Sequence, residues 1–267
     1  MLGIVLSKQG IRERDQIISM FGVDTGKISL LARGMKKLTS RNAGAAEPYT
    51  FVNFDWVPGK EYAYLTNIIP IIPFSDIRST YEKSMMAGIV VAILDRFLEE
   101  RDVDRMIFKL LREFLQTLEQ VEETNIALVD SFVMKLLRIH GIAPELTASV
   151  LGGMSHLSMK QAMLMDGRKW ELGLSFDHGG IVSPREAQAL RREGRVVHVI
   201  TSEDIDMLEV LGRVTFSVLS DFVRDGYARG AHEMLYLWYR YMVARSIPDW
   251  QQFFSEKIQE APARRRQ

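Results

Sequence analysis

Eight basic side chains lie between residues 8 and 41: Lys8, Arg12, Arg14, Lys27, Arg33, Lys36, Lys37 and Arg41. Only Glu13, Asp15 and Asp24 oppose them, in a chain whose 34 Lys+Arg balance 34 Asp+Glu. The bias is local. Four of the eight fall within Arg33-Gly-Met-Lys36-Lys37-Leu-Thr-Ser40-Arg41. There, ammonium and guanidinium groups can displace counterions from a phosphate backbone, and Gly34 and Ser40 add donors that approach closely. Tyr49, Phe51, Phe54, Trp56, Tyr62 and Tyr64 follow, and any exposed ring among them can stack on an unpaired base. Strand alternation sends about half of such rings inward. Residue type and spacing therefore point to polynucleotide binding by charge and stacking.

Other chemistry is poorly supplied. The chain has no cysteine, which removes disulfides, thiolate nucleophiles and thiolate zinc sites. Gly22-Val-Asp-Thr-Gly26-Lys27 resembles a phosphate loop, but it is one residue short, and Ile28 stands where a hydroxyl should hold magnesium; it reads as a turn. The carboxylate pairs Glu99-Glu100, Glu122-Glu123 and Asp204 with Asp206 sit at helix ends or on polar faces. His140 reads as a structural residue near a helix C-terminus, and His156, His178, His198 and His232 show no Ser or Asp spacing that builds a triad. We expect no catalytic residues, no metal and no cofactor. One candidate partner site remains: Lys135 and Arg138, three apart beside Phe132 and Leu136, could rim an apolar pocket for an acidic, apolar-ended peptide.

The elements that must position these residues fall into two classes. Leu2 to Ser7, Gln16 to Phe21, Lys27 to Ala32, Tyr49 to Val57 and Tyr62 to Ile69 read as strands, with turns at 22–26 and Pro58-Gly59. Five short strands in some seventy residues suggest a small closed barrel, which leaves no exposed edge. After Pro70 and Pro73 the apolar period becomes helical: Met86, Ile89, Ile93 and Phe97, then Ile107, Leu110, Leu111, Phe114 and Leu118, then Val129, Phe132, Val133, Leu136 and Leu137. A helix is predicted from Glu203 to Val223 behind Thr201-x-x-Asp204, and another over Ala231 to Arg245. Residues 147–200 interrupt the helices with glycine pairs, strand-like pieces at 172–176 and 196–200, and a small helix. Ser183-Pro184-Arg185-Glu186 reads as that helix's capping box. The expected class is α+β: a five-stranded oligonucleotide-binding (OB) barrel over 1–78, then a mainly helical domain over 79–267 with the irregular insert and a disordered basic tail at 261–267. With 47% apolar residues, no signal-peptide pattern and no bilayer-length apolar run, a cytoplasmic protein is expected.

The stretch Gly3-Ile-Val-Leu-Ser7, Asp15-Gln-Ile-Ile18, Gly26-Lys-Ile-Ser-Leu-Leu-Ala-Arg-Gly34, Lys36, Ser40-Arg41 and Pro48 resembles the N-terminal OB domain of the RecO family of recombination mediator proteins. The specific part is Ala32-Arg33-Gly34 followed by basic residues and a serine. The resemblance extends to about residue 225, strongly at first and weakly thereafter. It implies a non-enzymatic, nucleoid-associated bacterial protein that binds single- and double-stranded DNA and anneals complementary strands. It also implies work with RecR and single-stranded-DNA-binding protein, whose C-terminal tail is the kind of peptide the Phe132 site would take, to load recombinase. Many members of that family hold a zinc ion with four cysteines in the insert, where Gly179-Gly180-Ile-Val-Ser183 matches Gly-Gly-x-x-Cys. Here the corresponding positions are Ser149, Gly152, Ser183 and Glu186, so a zinc-finger-like insert lacking its ligands is expected. The rival reading is a protein-interaction module that has lost DNA binding.

Overall fold

The computed structural model describes residues 1–11, 15–34, 44–166, 171–222, 229–244 and 250. The chain falls into two compact units, Met1–Thr124 and Asn125–Gln267. Strand gives way to helix between residues 72 and 75, and the first compact unit runs on past the boundary expected at 78/79 to include three helices.

The first unit opens with β1 (Leu2–Gly10), β2 (Gln16–Gly22), β3 (Gly26–Ala32), β4 (Phe51–Val57) and β5 (Ala63–Ile72), close to the predicted bounds. They close into a barrel in the order β1-β2-β3-β5-β4, the arrangement of an OB fold. The closing seams are antiparallel β1–β4 and parallel β3–β5, the latter pairing Leu31 with Tyr64. Alternation places Ile18 and Met20 of β2 and Ile28, Leu30 and Ala32 of β3 inside, with Val5, Val52, Phe54 and Ile68. The β2–β3 hairpin turns between paired Gly22 and Gly26, as the turn residues predict.

Helices α1 (Ser75–Ser79), α2 (Tyr81–Phe97) and α3 (Arg105–Gln120) complete this unit. Asp104 starts α3 by accepting from the Met106 and Ile107 amides at 2.7 and 2.9 Å, and Phe108 packs its ring against Phe21 and Phe51 of the barrel. The approach to α3 runs along β3: the Arg101 amide donates to the Lys27 carbonyl at 2.7 Å. This seam needs Gly26, whose φ is +66° and where a Cβ would overlap the backbone of Arg101 and Asp102. Gly26→Ala is therefore expected to cost about 2–4 kcal/mol in denaturant unfolding; a loss below about 0.5 kcal/mol would contradict the tight seam.

The second unit is built round α4 (Ala127–Ile139), ten of whose thirteen residues are buried. Its other elements are α5 (His156–Asp166), β6 (Leu172–Ser175), β7 (Gly180–Val182), α6 (Pro184–Arg192), β8 (His198–Ile200), α7 (Ser202–Arg213), α8 (Phe216–Phe222) and α9 (Arg229–Val243). β7-β6-β8 form a small antiparallel sheet. Two elements differ from the expectation. The single helix expected from Glu203 to Val223 breaks at extended Val214 (ψ 143°), and α8 restarts with the Leu219 amide on the Thr215 carbonyl. Val214 and Thr215 at the break are both β-branched, which lowers helix propensity slightly. α5 has no counterpart in the periodicity, because apolar residues ring it: Met159 is buried, while Leu157, Leu164 and Met165 are exposed.

Candidate nucleic-acid interface

One end of the barrel gathers the residues of interest. The registers Gly10↔Gln16, Gln16↔Ala32 and Leu31↔Tyr64, with Val57↔Tyr64, place the end of β1, the start of β2, the end of β3 and the β4–β5 loop together at this mouth. Gly34, at φ +68°, donates its amide to the Asp15 carboxylate at 3.0 Å, tying the end of β3 to the start of β2. The Arg33 guanidinium lies 4.7 Å over the Tyr64 ring and donates to its hydroxyl at 3.3 Å. The glycine of the predicted Pro58-Gly59 turn lets the β4–β5 loop lie on Tyr64, since a Cβ at Gly59 would overlap that ring. Tyr62 is 42% exposed beside it. The result is a cation stacked on an aromatic platform at the barrel mouth, a pairing suited to a phosphate on one side and a base on the other.

The remaining predicted residues separate. Lys8, on β1, pairs with Glu47 at 2.5 Å, both side chains about one-third exposed; an ion pair that open is worth about 0–1 kcal/mol, so a phosphate can compete for the lysine. Lys27 follows Gly26 at the start of β3, at the opposite end of the barrel. Its ammonium meets Asp95 at 2.8 Å and donates to the Asp95 and Leu98 carbonyls, with the side chain only 13% exposed. Lys27 is a seam residue and not part of the barrel mouth: its charge is matched by groups some seventy residues away in sequence, which local charge does not reveal. Arg12, Arg14, Lys36, Lys37 and Arg41 lie outside the described residues; in sequence the last three follow Arg33-Gly34 within seven residues.

Of the six candidate aromatics, Phe51 and Phe54 are buried and Trp56 packs on the barrel core. Tyr49 donates to the Ser84 carbonyl at 3.4 Å, and burial pushes its phenol pKa up. Tyr64 and Tyr62 are left for stacking. The signal that could have singled them out is their position, either side of the start of β5 after a Pro-Gly turn.

The expected peptide pocket on α4 does not form as an open surface. Phe132 and Leu136 are fully buried. Lys135 donates to Ser131 Oγ at 2.8 Å and the Val214 carbonyl at 2.6 Å, and lies 3.9 Å from the Phe216 ring centroid. Arg138 reaches Glu209 at 4.0 Å. Packing of α4 against α7 and α8 buries this stripe and engages both cations.

The structure also brings together what sequence spacing does not. His156 Nε2 lies 3.0 Å from Ser202 Oγ, and its Nδ1 lies 3.7 Å from Asp206. That order of groups is the order of a nucleophilic triad. However, 3.7 Å exceeds hydrogen-bond reach, Lys160 takes the other carboxylate oxygen of Asp206, and Ser202 and His156 are both buried. Burial holds the His156 pKa below the usual histidine range despite the opposing pull of Asp206. The cluster joins the start of α5 to the start of α7. Among the described residues, no group of three or more His, Cys, Asp or Glu is placed to hold a metal ion, and no helix is long and apolar enough to cross a membrane.

Comparison with known proteins agrees with the barrel and with the helices beyond it. The family model for the recombination protein O N-terminal region matches residues 1–74, and that for its C-terminal region matches residues 78–160. Among curated relatives, proteins named DNA repair protein RecO from Caldanaerobacter subterraneus subsp. tengcongensis and Desulforamulus reducens are 29% identical over 157 residues and 30% over 150. The matches cover 58% and 56% of this chain, which thereby spans 63% and 58% of the two relatives' lengths. A Listeria monocytogenes protein of the same name is 29% identical over 151 residues. With both regional models matched in order, on a five-stranded barrel followed by helices, the chain belongs to the recombination protein O family.

Proposed function

We propose that this chain is a non-enzymatic DNA repair and recombination mediator that binds single- and double-stranded DNA at the barrel mouth and anneals complementary strands. The observation that carries this reading is Arg33 stacked on Tyr64 where β3 gives way to the Lys36, Lys37 and Arg41 segment. Cations there hold the phosphates of each strand and reduce the repulsion between the two, while Tyr64 and Tyr62 give unpaired bases a stacking surface. Complementary bases then pair with one another. No step needs a cofactor. The names of the relatives support a role in repair, and recruitment of RecR and of single-stranded-DNA-binding protein completes the mediator reading. The buried state of Phe132 and Leu136 argues against α4 as the site for the binding protein's tail.

The test is annealing of two complementary fluorescent strands by the full chain without nucleotide. Acceleration over the spontaneous rate, reduced on Arg33→Ala and Tyr64→Leu, is expected. Absence of acceleration would reject the mediator reading. The engagement of Lys27 by Asp95 and two carbonyls, which takes one cation out of the basic cluster, favours a second reading, a protein-interaction module without DNA affinity. That reading gains support if the chain fails to bind a labelled single strand near physiological salt.

A further inference from the structure

A short loop and the start of a helix in the second unit meet around one carboxylate. Ser149 and Gly152 lie in the loop, and Ser183 and Glu186 are the N-cap and third residue of α6. Each pair is spaced three apart, the spacing of the two knuckles of a zinc ribbon. Glu186 Oε2 accepts from Ser149 Oγ at 2.6 Å and from the Ser183 amide at 2.7 Å. Ser149 Oγ in turn accepts from the Leu151 and Gly152 amides at 3.3 Å, and Ser183 Oγ from the Glu186 amide at 3.4 Å. Gly152 completes the cluster by having no side chain, since a Cβ there would overlap Glu186 Oε1. Ser149 is 4% exposed. The backbone laces the same two segments: the Val150 amide donates to the Ile181 carbonyl at 3.0 Å, and the Ile181 amide to the Glu145 carbonyl at 2.9 Å.

These four positions are the ones at which the family resemblance implies zinc, and they do not fit it. Two hydroxyls already engaged in hydrogen bonds, a glycine and one carboxylate do not make a tetrahedral set of thiolates or imidazoles. Neither nearby histidine completes one, since His156 meets Ser202 and His178 Nδ1 meets Ser175 Oγ at 2.9 Å.

We propose that the Glu186 carboxylate takes the place of the metal, joining the loop to the start of α6 through Ser149 and Ser183 and closing the inserted subdomain without any ion. Its hydrogen-bond partners are neutral hydroxyls and amides, so the anion is held by directed donors alone. Burial raises the pKa of the Glu186 carboxyl, but the bonds from Ser149, Ser183 and Gly152 together outweigh it and hold the group below its ordinary range. A carboxyl depressed in the folded state adds stability above the ordinary glutamate pKa of about 4.3 and loses it as pH falls towards the lower folded value. Apolar packing by Val150, Val182, Ala187, Leu190 and Val197 supports the clasp.

The test uses the full chain and its thermal unfolding, and it is independent of the DNA-binding result. The purified protein is expected to hold no stoichiometric zinc and to melt at the same temperature with and without a strong chelator. Glu186→Ala and Ser149→Ala are each expected to lower the melting temperature by about 3–8 °C. The double variant should lose less than the sum of the two, because they break one interaction. Glu186→Gln guards against loss of folding; it should melt between the unaltered chain and Glu186→Ala, with a weaker acid dependence. Stoichiometric zinc whose removal lowers the melting temperature would overturn the proposal, as would strictly additive losses at Ser149 and Glu186.

Discussion

Replacing Lys36, Lys37 and Arg41 together with alanine is expected to weaken binding of a fluorescent single strand by on the order of a hundred-fold at low salt, taking each exposed phosphate contact at about 1 kcal/mol. The dependence of log affinity on log salt should flatten by about two units for a single strand and by nearly three for duplex, because each lost contact leaves its counterions in place. The loss should be similar across sequences, since phosphates carry no base identity. Lys27→Ala provides the internal control. Its ammonium already lies against Asp95 and two carbonyls at the far end of the barrel, so its removal should leave the salt slope unchanged. An unaltered slope for the triple variant, or an equal loss for Lys27→Ala, would remove the segment after β3 from the interface.

The largest expected effect on stability lies elsewhere, at Asp130. This residue is fully buried in α4; it takes a hydrogen bond from His232 Nδ1 at 2.8 Å and another from Trp250 Nε1 at 2.7 Å. The Trp250 ring is wholly buried among His232, Tyr236 and Tyr239, each meeting it edge-on at 5.3–5.7 Å. One carboxylate therefore joins residues more than a hundred positions apart. Asp130→Ala leaves two buried donors without their acceptor and opens a void, at an expected cost of about 3–5 kcal/mol. Against a total stability of about 5–15 kcal/mol, such a loss brings the second unit near unfolding, read as a shift of the denaturant midpoint. Asp130→Asn preserves shape and one acceptor and should lose less. A loss below about 1 kcal/mol for Asp130→Ala would contradict this role.

The features legible in the sequence are those that neighbours along the chain decide. The alternation of Ile18 with Met20 and of Ile28 with Leu30 marks the barrel strands, and the glycines at 22 and 26 mark their hairpin. Ser183-Pro-Arg-Glu186 and Thr201-x-x-Asp204 both form capping boxes, because a cap is settled within four residues. Residues whose roles depend on distant partners cannot be read this way. By local charge alone Lys27 counts as a free cation, yet Asp95 and the Leu98 carbonyl engage it, and the Val214 carbonyl does the same for Lys135. Ser202, His156 and Asp206 come into line only because α5 and α7 start side by side. Glu186 is legible as a cap for its own helix, and its reach to Ser149 is not. Of the candidate interface, charge marks the strand end at Arg33, while the choice of Tyr64 among six rings needs the parallel β3–β5 seam.

The claim on which the functional reading rests is that polynucleotide meets the barrel mouth. Photocrosslinking of a single strand carrying 4-thiothymidine to the full chain, with the attached peptides identified by mass spectrometry, tests it most directly. The account predicts attachment at Tyr62 or Tyr64 and on the peptides that span residues 33–41, competed away by unlabelled strand. Competed attachment confined to residues 125–267, with none on the barrel, would contradict it.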